Sequence, residues 1–139
     1  MKLPDSARQL IESGADAHLV TLNPDGSPQV SIVWVGLDGE EIVSGHLGPW
    51  RKLANVGRDP RVALTMEAPG RTEIGLDHYL VIHGRARITE GGGADLLQRL
   101  ARTYLGPDVR FPPMEDPPPG SVLHIDVERV GGVGPWAQA

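Results

Sequence analysis

The chain contains no cysteine among its 139 residues. Disulfides, thiolate nucleophiles and cysteine-ligated metal centres are therefore excluded. No apolar run approaches the length of a membrane-spanning helix. The opening MKLPDSARQL lacks the apolar core of a signal peptide, so a cytoplasmic location is expected. Positive charge is in deficit: 13 Lys and Arg face 18 Asp and Glu, a formal charge of −5. With a pI near 5.4 this argues against a general nucleic-acid binder. His18, His46, His78, His83 and His124 show no HExxH and no i, i+4 pairing, so no metal site is expected. No Ser-His-Asp set, glycosidase carboxylate pair or Walker loop can be argued. Gly91-Gly92-Gly93 follows no βαβ pattern and reads as a turn.

What is present fits one small globular domain over residues 1–139, 40% apolar and 22% charged. Eighteen glycines and 13 prolines promise many turns and few long helices. A core is possible at this length but tight, and a homodimer would both help and supply a cleft.

Asp5 can cap a helix over Ser6–Ser13, ended by Gly14. Ala17–Leu22 and Gln29–Val35 read as strands around the turn Asn23-Pro24-Asp25-Gly26-Ser27-Pro28. Asp38-Gly39 signals a hairpin into Glu41–Ser44, which suggests a three-stranded meander. A short helix over Gly48–Val56 follows, with Pro49 in its first turn and Gly57 as its C-cap. Arg61–Met66 is a fourth strand and Ala68–Asp77 a polar connection. Tyr79–Thr89 alternates, with Leu80, Ile82, Gly84, Ala86 and Ile88 on one face. Ala94–Leu105 gathers Leu96, Leu97, Leu100, Ala101 and Tyr104 on one helical face. Gly106–Gly120 holds six prolines and reads as a stiff loop. Ser121–Val130 is the sixth strand, with Leu123, Ile125 and Val127 inward, and a Gly-rich tail ends in Gly134-Pro135-Trp136. The pattern predicts a mainly β fold: a six-stranded antiparallel barrel with its helices outside.

The segment Gly48–Val56 carries the strongest chemical signal. Trp50, Leu53, Ala54 and Gly57 share one helical face and are expected inward, while Arg51, Lys52 and Asn55 cluster on another. Arg51 and Lys52 sit in the first turn, where the helix dipole disfavours a cation by about 0.3–1 kcal/mol. An anion bound among them, most commonly phosphate, would explain the placement. A solvated basic face, or pairing with Glu40 or Glu41, is the plainer explanation. His46 is kept as a candidate because it precedes this helix. The tail Trp136 has little structure to bury it, so docking across an interface or stacking on a ligand is considered beside plain packing.

The order "LVTLNPDGSPQVSIVWVGLDGEEIVSG", "GPWRKLANVGRDPRVALTM", "YLVIHGRARIT" resembles the pyridoxamine 5′-phosphate oxidase-like superfamily of flavin-reductase-type split β-barrels. Within it the chain is most similar to the actinobacterial branch that uses the deazaflavin coenzyme F420. The resemblance covers about residues 5–130 and is sharpest in "PDGSPQVSIVW" and "RKLANVGRDPRVAL". It implies a homodimer with two cofactor sites at the interface, each built from both chains. Gln29, Ser31 and Val33 would line the cofactor, and Arg51, Lys52 and Asn55 would hold its phosphate and acidic tail. Ser44, Gly45 and His46 would flank them. Gly134, Pro135 and Trp136 would approach the ring from the partner chain. The extra basic residues and longer C-terminal substrate segment of true pyridoxamine phosphate oxidases are not found, which points away from vitamin B6 oxidation. The function implied is hydride transfer between reduced F420 and a small electron-poor or quinone-like substrate. An F420 carrier with little turnover, an FMN reductase or oxidase, and a haem protein or one without a redox cofactor are the alternatives. No catalytic side chain is expected, since the cofactor carries the chemistry.

Overall fold

The computed structural model describes residues 1–137. Its elements are α1 (Asp5–Ile11), β1 (Ala17–Leu22), β2 (Pro28–Val33), β3 (Gly36–Asp38), β4 (Glu41–His46), α2 (Arg51–Arg58), β5 (Arg61–Arg71), β6 (Asp77–Glu90), α3 (Gly93–Tyr104), β7 (Ser121–Val133) and a 3-10 turn over Pro135–Ala137. Every strand pair is antiparallel, in one seven-stranded sheet of order β2-β1-β5-β6-β7-β4-β3.

β2 and β3 are the two ends of that order, yet only Trp34 and Val35 separate them along the chain. Three Cα steps reach no more than about 11 Å, whereas seven strands laid flat would span roughly 29 Å. The sheet must curl until its ends meet, which makes it a split barrel. Alternate residues fill the interior: Val62, Leu64 and Met66 from β5, Leu80 and Ile82 from β6, Leu123, Ile125 and Val127 from β7. Leu3, Ala7, Leu10 and Ile11 of the α1 region join the same core. At β4, α3 lies so close that a Cβ on Gly45 would sit 2.7 Å from the Gly93 carbonyl oxygen. Glycine is required there by the approach of the backbones.

Several expectations need correction. Among the described residues there are seven strands, because the three-residue β3 is a separate strand, paired with β4. The first third is not a meander: β1–β2 lies at one end of the sheet and β3–β4 at the other, and the second neighbour of β1 is β5. Turn residues specify hairpins, but how hairpins join is set by long-range burial that no local pattern records. Residues 68–71 continue β5, and a tight turn links it to β6, with Thr72 N–H donating to the Leu76 carbonyl at 2.8 Å. That stretch is polar because it runs past the core and both its faces meet solvent. α1 begins at Asp5, with Pro4 as N-cap and no side-chain cap.

In α2 the inward face differs in part from expectation: Leu53 packs against the core, but its expected companions do not. Trp50 is 53% exposed and Ala54 and Gly57 face solvent, while Asn55 and Val56 are buried. β7 extends to Val133 and the tail is no loose arm: Trp136 is buried in the core of its own barrel, among the α1 side chains.

Candidate functional site

α2 starts abruptly. Its N-cap is Trp50, no side chain caps it, and no acid lies in its first turn. Leu53 N–H is the first to find a helical acceptor, at Trp50, so the amides of Arg51 and Lys52 have no acceptor among the described residues. Such an end is intrinsically an anion site. Lys52 is half-buried and reaches back over β2, where its Nζ donates to Ser31 Oγ at 3.2 Å. Burial pulls its pKa below the ordinary lysine value. Among the described residues no carboxylate pairs with it. Glu40 engages Arg8 at 3.1 Å and Glu41 engages Arg87 at 2.9 Å, so the pairing considered from sequence does not form.

At the end of β4, His46 is 5% exposed, and its Nε2 lies 2.8 Å from Oγ of the buried Ser44. Its pKa is pushed down to about 4, first by burial and then by the charge of Lys52. His46 and Lys52 form the polar side of a cavity of about 200 Å³. Val33, Trp34, Leu97 and Phe111 supply an apolar side. Trp34 stacks on Tyr104 at 5.3 Å and meets Phe111 at 5.0 Å. Phe111 belongs to the proline-rich loop, which α3 clamps through Gln98: its amide donates to the Val109 carbonyl at 2.9 Å and accepts from Phe111 N–H at 3.0 Å.

Of the residues singled out from sequence, Ser31, Val33, Gly45, His46 and Lys52 gather here, with Ser44 directly behind. Arg51 is exposed on the side of the β1–β2 turn. There Asp25 is held below its ordinary pKa chiefly by bonds from Ser27, with the Arg51 charge adding a little.

Gln29 and Asn55 lie instead in a separate buried network. Asn55 Nδ2 donates to Thr21 Oγ1 and to Asn23 Oδ1, each at 3.0 Å, and Thr21 Oγ1 donates to Gln29 Oε1 at 3.0 Å. Arg58 completes the Asn55 amide at 3.4 Å. With both its protons engaged, Asn55 ties α2 to β1 rather than offering a donor to an anion. Pro135 and Trp136 are also elsewhere within the chain. Trp136 Nε1 donates to the Tyr79 carbonyl at 3.1 Å and the ring meets His78 edge-on.

A larger cavity, about 540 Å³, is lined by His18, Thr65, Glu67, Asp77, His78 and Tyr79. It has two carboxylates and no Lys or Arg, so it is the poorer anion site. His18 stands opposite Ile32 in the β1–β2 ladder, so this cavity opens on the face where Ile32 and Val30 are 59% and 57% exposed. Among the described residues no cluster could hold a metal ion, and no helix is long and apolar enough to cross a membrane.

A family model described as pyridoxamine 5′-phosphate oxidase matches residues 3–134. The chain belongs to the pyridoxamine 5′-phosphate oxidase family. Among solved structures it is similar to one named an F420 reductase, at 25% identity and a TM-score of 0.74, covering 93% of this chain and 98% of that one. A conserved hypothetical protein of Mycobacterium tuberculosis is 22% identical, with a TM-score of 0.69 over 95% of this chain and 89% of that one. HupZ of Group A Streptococcus shares the fold at 17% identity, with a TM-score of 0.66 and 99% of each chain covered. No curated protein matches the sequence. Family membership accounts for the split barrel.

Sequence reasoning missed the wall of that cavity. Phe111 is the only phenylalanine of the chain, set among prolines, and that isolation was the available signal. The sequence pattern puts Leu97 on the apolar face of α3 and singles out no role for Trp34. Both line the cavity, the position of the β2–β3 link bringing Trp34 to it.

Proposed function

We propose that this protein is an F420-dependent reductase that moves a hydride between reduced F420 and a small electron-poor or quinone-like acceptor. The observation that carries this reading is Lys52: a half-buried ammonium at an uncapped helix start, with no carboxylate partner among the described residues. The donor set fits a phosphate. It offers the Lys52 ammonium, the free amides of Arg51 and Lys52, and the outer charge of Arg51. Family membership favours a phosphorylated ring cofactor over other anions, and the likeness to the structure named an F420 reductase favours a deazaflavin.

When bound, the cofactor supplies the hydride chemistry at C5 of its ring. The chain's own residues bind and orient. Ser31 holds the Lys52 ammonium over β2. Trp34 and Phe111 keep water from the apolar wall. His46, neutral at pH 7, is no proton reservoir for the acceptor, which fits a reaction without an essential side-chain acid.

A cavity of about 200 Å³ takes a phosphate and its adjoining chain, but it is below the roughly 300–1,000 Å³ of a complete ligand site. The ring would then be held over the outer face of β1 and β2. The exposed Val30 and Ile32 there suit cover by a second copy of the chain, so we place the complete site in a homodimer.

The test is a side-by-side titration with F420, FMN and riboflavin, followed by oxidation of reduced F420 with a panel of acceptors. Tight F420 binding with turnover supports the reductase. Tight binding without turnover on any acceptor would make the protein a carrier. Preference for FMN would move it to the flavin enzymes of the same fold.

A further inference from the structure

We propose that Ser44 fixes the tautomer of His46, so that the uncharged imidazole donates its Nδ1–H to the anion held beside Lys52. The proposal rests on the anion reading above and adds a second donor to it.

The Ser44 hydroxyl is enclosed, and Nε2 of His46, 2.8 Å away, is its one hydrogen-bond partner. Were Nε2 to carry the proton, the serine proton would have no acceptor in an enclosed site. Leaving a buried donor unpaired is costly. The hydroxyl therefore donates to Nε2, and the ring proton sits on Nδ1.

That Nδ1 has no hydrogen-bond partner among the described residues. It is not sealed in, since the one fully enclosed unpaired side-chain atom among the described residues is Nδ1 of His124. His46, 5% exposed, lines the cavity that Lys52 also lines. An imidazole with a spare nitrogen and an ammonium thus border one space, and the ammonium belongs to the first turn of α2, whose first amides have no acceptor among the described residues. A neutral donor suits this place: it adds a hydrogen bond without a second buried charge beside Lys52.

The test reads the tautomer first. Nitrogen-15 NMR of the ligand-free protein should show His46 protonated on Nδ1, and Ser44→Ala should give a mixture of tautomers. Inorganic pyrophosphate should shift the Nδ1–H resonance. In F420 titrations His46→Leu should lose about ten- to a hundredfold in affinity, the scale of one hydrogen bond to a charged group. His46→Asn, whose amide nitrogen occupies the Nδ1 position, should retain most of it. Ser44→Ala should weaken binding severalfold, and Ser44→Thr should restore both tautomer and affinity. Melting curves check that each variant is folded.

A proton on Nε2 in the wild type, or wild-type F420 affinity in His46→Leu, would overturn the proposal while leaving the F420 reading intact. Conversely, pyrophosphate bound through His46 with no affinity for F420 or FMN would overturn the cofactor reading and leave this one standing.

Discussion

Replacing Lys52 separates binding from stability. Its stem is half-buried, so Lys52→Met is the cleaner change: it keeps most of the apolar length and removes only the charge. In the free protein the loss of the 3.2 Å bond to Ser31 costs about 0.5–1.5 kcal/mol. Against this, removing a cation from the positive end of α2 returns about 0.3–1 kcal/mol, and relief of its desolvation adds to the gain. These effects nearly cancel, so the melting temperature should move by no more than a few degrees. In the complex a charge-assisted bond to phosphate disappears, worth about 1.5–3 kcal/mol, or roughly ten- to a hundredfold in affinity. The defect should narrow as salt rises, because part of the attraction is screened beyond a Debye length of about 10 Å at 0.1 M. Fluorescence titration with F420 and with FMN, at low and high salt, measures both. If Lys52→Met bound both cofactors like wild type, the anion site would lie elsewhere and α2 would be a solvated basic helix.

The other residues yield separate outcomes. Asn55→Ala should lower the melting temperature, because it strands Thr21 and Asn23 in a buried network at about 1–3 kcal/mol, and its effect on affinity should be indirect and smaller than that of Lys52. Trp136→Ala should destabilise by about 3–5 kcal/mol, seen in urea unfolding, since the indole is a core residue; a change in cofactor affinity alone would revive a ligand role for the tail. Ile32→Asp with Val30→Asp should convert a sedimenting dimer near twice the chain mass into a monomer that still folds. For His46 the folded-state pKa of about 4 lies below the ordinary 6.5, so the unfolded chain binds the extra proton first; stability should fall by about 1.4 kcal/mol per pH unit between 6.5 and 4, then level off, and His46→Asn should remove that slope from unfolding measured across this range.

Where the fold was legible in the sequence, the signal was periodicity. The alternation through Leu80, Ile82, Gly84 and Ala86 marked the inward face of β6, and the spacing of Leu96, Leu100 and Ala101 marked that of α3. Asp38-Gly39 marked its hairpin correctly. What failed was long-range. Nothing local tells β4, which ends at His46, to pair with β7, which begins at Ser121, instead of with β2. In α2 a hydrophobic-face rule chose Trp50, but the strand beneath presents Thr21 and the adjacent turn Asn23, so an asparagine makes the better inward residue. For Trp136, glycine and proline suggested looseness. Gly132 in fact has a φ of +97° and lies against Tyr79, which lets the end of β7 stay on β6 and deliver the indole to the core. Of the site, Lys52 and His46 were readable from residue type and helix position, and Ser31 only from the family resemblance. Phe111 was not, because its place depends on how Gln98 clamps a loop without periodicity.

The charge pattern gives the site its meaning. This is an acidic chain, with 18 carboxylate residues against 13 lysines and arginines. Arg8, Arg61, Arg71, Arg85 and Arg87 each hold a carboxylate and gain little by it, whereas Arg51, Lys52 and Arg58 of α2 hold none among the described residues. Lys52 is partly buried, where pairing would be worth most, and it stands at a helix end that calls for an acid. A helix that gathers three cations and no carboxylate partner for any of them among the described residues, with one of the three partly buried at its start, leaves local stability unclaimed. Such a departure from internal consistency is what a binding site requires, because a resident carboxylate would compete with the ligand. An anion bound there would complete the α2 end, and the two neutral groups beside it, the Ser31 hydroxyl and the His46 imidazole, would order that anion without neutralising the charge that attracts it.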